Sequence, residues 1–299
     1  MLRSHGRWTY APITAGGGAT AWPNGRGLAV YVALGVEEYV FGEGITENIL
    51  AGVPQPDLVN TSWRDYGNRV GAFRLLDACS GLGIPLSVLL NTEVYDHAPA
   101  LVEAFRKAGS AMIAHGRTNS DSLTGMPRAA ERDYLAAVRR RMEDAGDRCA
   151  GWSSPWLVHT EATIDLLQET GYGYVLDFGM DDRPVWLDAA GGPFLHIPYA
   201  IELNDSSTIV GRQTTARDFA DMIVDHFDAL HAASREQPLV MSVVLHAFIS
   251  GQPFRLTPIA RALAHVAAHA TDVWLTTPDA IHDAVAGDAR LAVGGRRRS

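Results

Sequence analysis

Cysteine is almost missing from this 299-residue chain: Cys79 and Cys149 are the two it has, and they lack CxxC spacing. A disulfide-stapled scaffold, a zinc ribbon and a cysteine-held iron–sulfur cluster are thereby excluded as organising features. Both thiols read as small buried fillers. Basic residues are also in the minority, with 25 Lys and Arg against 34 Asp and Glu and a formal charge of -9. Such a balance gives no general attraction for nucleic acid or an anionic membrane surface. No apolar run is long enough to span a bilayer, and the opening MLRSHGRWTYAP lacks the apolar stretch of a secretory signal, so a cytoplasmic protein is expected. The chain has no Walker loop, no GxGxxG between strand and helix and no HExxH, and neither Ser153 nor Ser154 stands in a GxSxG elbow.

What is present is material for a large core. Hydrophobic residues make up 47% of the chain, enough for one domain of barrel size. Residues 1–25, rich in Gly, Pro, Trp and Tyr, read as an irregular arm. Its Trp8, Tyr10 and Trp22, with Pro12 and Pro23, either pack back on the body or cross a subunit boundary in a homo-oligomer. Residues 26–290 read as a single body and 291–299 as a polar tail.

Within the body, strand and helix signals alternate. RGLAVYVALGV is a nearly continuous apolar run and predicts a strand covered on both faces. Helical spacing follows over 61–80, then the strand IPLSVLL, a helix near 98–108 and the strand SAMIAH. PRAAERDYLAAVRRRMEDAG predicts a helix opened by Pro127. CAGW, ATIDLLQETG, YGYVLDF, LHIPYA and ARDFADMIVDHFDALHAA continue the series. PLVMSVVLH, LTPIARALAHVAAHA, DVWLTT and PDAIHDAV complete it. This succession favours an α/β fold with a mainly parallel sheet, in which functional groups gather at the C-terminal strand ends.

Polar residues do cluster at those ends. Glu37 and Glu38 follow the first strand, and alternation sends only one of them into a central pocket. A carboxylate there serves as base toward water, as metal ligand or as orienter of histidine. His115, in AMIAHGRTNSDS, and His246, in VVLHAFISGQPFR, each sit between an apolar strand and a polar loop, where imidazole can bind a metal or carry protons. His226, His231, His265 and His269 lie in helical patterns and read as structural or solvent-facing. Trp152, Pro155 and Trp156 in AGWSSPW are candidates for an apolar pocket wall. Asp177 could orient a histidine, and Arg117 or Arg183 could hold an anionic substrate group.

The order LGVEEYVFG, MIAHGRTNS, AGWSSP, YVLDFGMDD, LHAFISGQPFR resembles the polysaccharide deacetylase, or NodB-like, superfamily. It is most similar to the branch of small-molecule amidohydrolases that includes the purine-catabolism allantoinase and cyclic imide hydrolase. The resemblance spans roughly residues 26–285 and implies a distorted (β/α)-type barrel. In that family two aspartates, base and metal ligand, stand two residues apart on the first strand, and two histidines spaced by four follow on the third. These positions fall here on Gly35 and Glu37, and on His115 and Asn119. Asp177 resembles the fourth-motif acid and His246 the last-motif histidine. The resemblance thus implies a hydrolase of a carbon–nitrogen bond in a small linear or cyclic amide, imide or ureide. His246 would move the proton, and Glu37 and His115 would activate water, either metal-free or through a divalent cation, zinc or manganese, on Glu37, His115 and Asn119. Polysaccharide or chitooligosaccharide deacetylation and non-catalytic small-molecule binding are the alternative readings.

Overall fold

Strand β1 (Leu28–Val36) is buried along its whole length, as an uninterrupted apolar run demands. In the computed structural model, which describes residues 5–8 and 20–294, β8 (Leu239–His246) pairs with it in parallel along one edge. The other edge is shared by β2 (Leu86–Leu90) and the short β9 (Trp274–Leu275). Beyond β2 the sheet continues through β3 (Ala111–Ala114), β4 (Gly151–Trp152), β5 (Tyr174–Val175), β7 (Gly192–His196), β6 (Val185–Ala189) and β10 (Val293–Gly294). All pairings are parallel except β6 with β7.

Strand alternation divides the core into two. Leu28, Val30, Val32 and Leu34 belong to the cluster between sheet and helices, whereas Ala29, Tyr31 and Ala33 belong to a second cluster with Leu89, Ile113 and Tyr174. The second cluster is the interior of a curled sheet, the distorted (β/α) barrel expected from the sequence. Among the described residues no ladder joins the far strands to β8. Instead the chain after β7 runs along β8: the Ala200 amide donates to Ser242 Oγ at 2.7 Å and the Val244 amide to Leu203 O at 2.9 Å.

Several elements differ from the sequence expectation. The strand assigned to LHIPYA ends at His196 and forms a hairpin with VWLDA, which the strand–helix alternation had hidden. The 61–80 helix begins at Leu58, where the Asp57 side chain caps the Asn60 amide, and passes through a wider turn over Gly67–Gly71. Leu291 is buried and Val293–Gly294 pairs with β6, so the residues from 291 to 294 are part of the body rather than a tail. Trp22 is buried in the inner cluster and donates its indole N–H to Leu239 O at 2.8 Å. Trp8 packs on Phe178, while Tyr10, Pro12 and 295–299 lie outside the described residues. Cys79 and Cys149 are buried free thiols, and burial pushes both up to about 12. No helix among the described residues is long and apolar enough to cross a membrane.

Candidate active site

The alternation that places Ala29, Tyr31 and Ala33 inside carries Gly35 and Glu37 to the same face. On β3 and β8 the inner residues Ile113 and Val244 are followed two places later by His115 and His246. Three separate strands therefore deliver their polar side chains to one end of the barrel interior. Asn91 stitches two of those ends together, accepting from the Glu38 amide at 2.9 Å and donating to His115 O. Of the acidic pair, Glu37 is the inward one; Glu38 faces His97 at 3.6 Å.

Glu37 Oε1 stands 3.5 Å from His115 Nε2 and 3.4 Å from His246 Nε2, and the three side chains are only 1%, 6% and 11% exposed. Tyr39 donates its hydroxyl to Glu37 Oε2 at 2.7 Å and accepts from Asn119 Nδ2 at 2.9 Å. The far nitrogen of His246, Nδ1, lies 2.6 Å from Asp205 Oδ1, and the His246 amide donates to Asp205 Oδ2 at 2.9 Å. Asp205 is fully buried and also accepts from Ser250 Oγ.

These contacts fix the charges. Burial by itself would push the His246 imidazole down, but Glu37 and then Asp205 outweigh it and raise it to about 10. Burial would likewise raise the Glu37 carboxyl; the charge of His246 and the contacts from His115 and Tyr39 reverse this and hold it below the ordinary carboxylate range. At neutral pH the site holds a carboxylate and an imidazolium side by side.

His115 is fixed differently. Its Nδ1 lies 2.9 Å from Ser153 O, an acceptor only, so Nδ1 carries a proton and Nε2 is the nitrogen turned toward Glu37. The other side of the same peptide, the Ser154 amide, donates to both oxygens of Asp177, at 3.0 and 2.9 Å, and Ser153 Oγ adds a bond at 2.9 Å. Asp177 thus acts on His115 through a backbone peptide. It is held in the left-handed region, φ 73°, which Asp tolerates better than most residues. Asp177, expected to orient a histidine, also stands 3.0 Å from His159 Nε2, while the carboxylate against His246 is Asp205. Nothing in IELNDSS marks Asp205 as a partner of a residue on another strand.

The expected substrate-binding residues separate. Trp156 donates its indole N–H to Asn119 O at 2.6 Å, and Pro155 packs on Gly116, so both border the site. At Gly116 φ is 75°, and an added Cβ would stand 2.7 Å from Pro155 Cγ, so the turn after His115 accepts glycine alone. Trp152 does not line a pocket: one residue out of phase with Gly151 and Ser153, it is fully buried in the outer core, edge-on to Tyr172. Arg117 is 51% exposed and engaged with Asp121 and Glu93 on the surface. Arg183 follows Asp182, whose carbonyl accepts from the Val240 amide. Val240 stands at the start of β8, about 20 Å along the strand from His246. Neither arginine is placed to hold a substrate at Glu37.

Solved structures share the architecture that carries this site. The crystal structure of a "probable polysaccharide deacetylase" from Pseudomonas aeruginosa PAO1 superposes with a TM-score of 0.77 at 25% identity, over 90% of this chain and 94% of that one. The chain has the polysaccharide deacetylase, NodB-like, fold. A crystal structure named "Puue allantoinase" superposes equally well on this NodB-like chain, with a TM-score of 0.77 at 26% identity over 90% and 93% of the two chains. A "putative polysaccharide deacetylase" of Schizosaccharomyces pombe is 22% identical over 294 residues, 88% of this chain and 91% of that protein. No family model matches.

NodB-like deacetylases hold a divalent cation, and the residues here do not reproduce its ligand set. Among the described residues no three or more His, Cys, Asp or Glu side chains are placed to hold a metal ion. Asn119 Oδ1 is buried without a hydrogen-bond partner, but one amide oxygen is a poor replacement for imidazole toward zinc. Glu37 Oε1 also meets His246 Nε2 at 3.4 Å. The residues expected to hold zinc or manganese, Glu37, His115 and Asn119, lie together, with Glu37 beside His115 and joined to Asn119 through the Tyr39 hydroxyl.

Proposed function

We propose that this NodB-like protein hydrolyses a carbon–nitrogen bond of a small linear or cyclic amide, imide or ureide at Glu37, His115 and His246. The observation that carries the reading is the opposed charge of Glu37 and His246 at 3.4 Å, a base and an acid in complementary states at one pH. Water held beside Glu37 and His115 gives a proton to Glu37 as its oxygen bonds to the substrate carbonyl carbon. His246 Nε2–H stabilises the negative charge that grows on the carbonyl oxygen. As the carbon–nitrogen bond breaks, the electron pair leaves with nitrogen, which takes the proton held at Glu37.

The enclosed position of all three side chains supports a small substrate over a polymer that must lie in an open groove. The likeness to the structure named as an allantoinase supports a ureide or cyclic amide within that class. The test is a screen of hydantoins, dihydropyrimidines, cyclic imides, allantoin-like ureides and N-acetyl sugars. Turnover of a ureide or cyclic amide that disappears in His246→Gln supports the reading; turnover of N-acetyl sugars alone rejects it.

A further inference from the structure

The connection that follows β1 is built inside out. Residues 41–56 contain no helix or strand, and among them Glu47 alone is buried. Phe41, Ile45, Ile49 and Leu50 face solvent. A loop simply packed on its body shows the reverse, with apolar side chains inward and acids outward, because a buried carboxylate costs free energy unless it is paired.

The attachments of the segment are polar. Ser206 Oγ donates to Glu47 Oε1 at 2.7 Å. The guanidinium of Arg64, lying over the Tyr39 ring, donates to Glu47 O at 2.8 Å and to Asn48 Oδ1 at 2.7 Å. The Ile45 amide donates to Ser120 O at 3.2 Å, and the Leu50 amide to Asn60 Oδ1 at 3.0 Å. A segment held by a few hydrogen bonds without buried apolar surface lies at the low end of local stability. Its one buried group ends beside Ser206, the neighbour of Asp205, and the fields of His246 and Glu37 both reach it.

We propose that residues 41–56 are a lid over the reaction chamber, latched by Glu47 against Ser206, which opens to admit substrate. Closing the lid and bringing a third carboxylate to the His246 pair are then one event. The inference rests on the reading of Glu37, His115 and His246 as the reaction site, but its test uses no substrate, so the two fail independently.

Amide hydrogen exchange on the full-length protein decides it. In the parent, the Ile45 and Leu50 amides exchange far faster than those of β1 and β8. Ser206→Ala removes the latch without altering the lid and speeds lid exchange about tenfold, the scale of one hydrogen bond to a charged group, with β1 and β8 unchanged. Glu47→Ala has the same effect, and the double variant adds nothing further because both residues serve one contact. The proposal is overturned if the lid exchanges as slowly as the strands. Lid exchange unaltered in both variants overturns it too, as does a rise shared equally by β1 and β8.

Discussion

The ring of His246 fills the space that a side chain on Gly35 would need: a Cβ built there would stand 2.9 Å from His246 Cδ2 and 3.1 Å from Glu37 Oε1. The sequence resemblance sets Gly35 where the family has its catalytic-base aspartate, and a carboxylate introduced here would displace His246 instead of restoring a base. Gly35→Asp is expected to lower turnover about a hundredfold or more, the usual result of moving a catalytic group by an ångström. It should also confer no N-acetyl sugar deacetylation with added zinc or manganese. Steady-state assays of both activities check this, and a gain of deacetylation would sink it.

His246 carries the second expectation. Its replacement by Gln should cost about 10²–10⁴ in turnover with the fold intact by circular dichroism. Its folded value of about 10 against an ordinary 6.5 means that the stabilising contribution is complete below pH 6.5 and is lost as pH rises toward 10. Parent activity should accordingly hold well above pH 6.5 and fall near 10. Asp205→Asn should bring the alkaline limb down and flatten the loss of stability between pH 6.5 and 10. A parent profile that already falls near pH 6.5 contradicts the imidazolium assignment.

Trp152 and Trp156 should part company when each is changed to Ala. Trp152→Ala removes a fully buried core ring and should cost about 3–5 kcal/mol of unfolding free energy in a denaturant titration. Trp156→Ala should cost much less stability and raise KM. Equal effects on both measures would mean that the two rings do the same job.

Chelation tests the donor set. With His246 supplying the positive charge next to Glu37, activity should survive prolonged dialysis against EDTA and should not rise with added zinc or manganese. Loss of activity restored by stoichiometric metal would refute that account.

The barrel was legible because long apolar runs such as 28–36 and 239–246 dictate buried parallel strands, and their ends name Glu37 and His246 directly. The hairpin of β6 and β7 was hidden because its strands are partly exposed and lack the strong pattern of a fully buried run. Trp152 was misplaced by a matter of phase: on a strand, one position separates a pocket wall from the core behind the sheet. Asp205 and Glu47 left no local signal, since each matters only through what the fold carries to it. Asp177 stood out because it directly follows a strand, whereas the carboxylate that meets His246 lies in a segment running beside β8.

The contact between Asp177 and His115 passes through the N–H and C=O of one peptide, and those groups belong to every residue type but one. Almost any amino acid at position 154 would preserve the bond to the Asp177 carboxylate; proline alone, having no amide hydrogen, would cut it. What is constrained there is a backbone orientation, so proteins sharing this arrangement can carry unlike letters at 153 and 154 and still hold their histidine through the same backbone carbonyl.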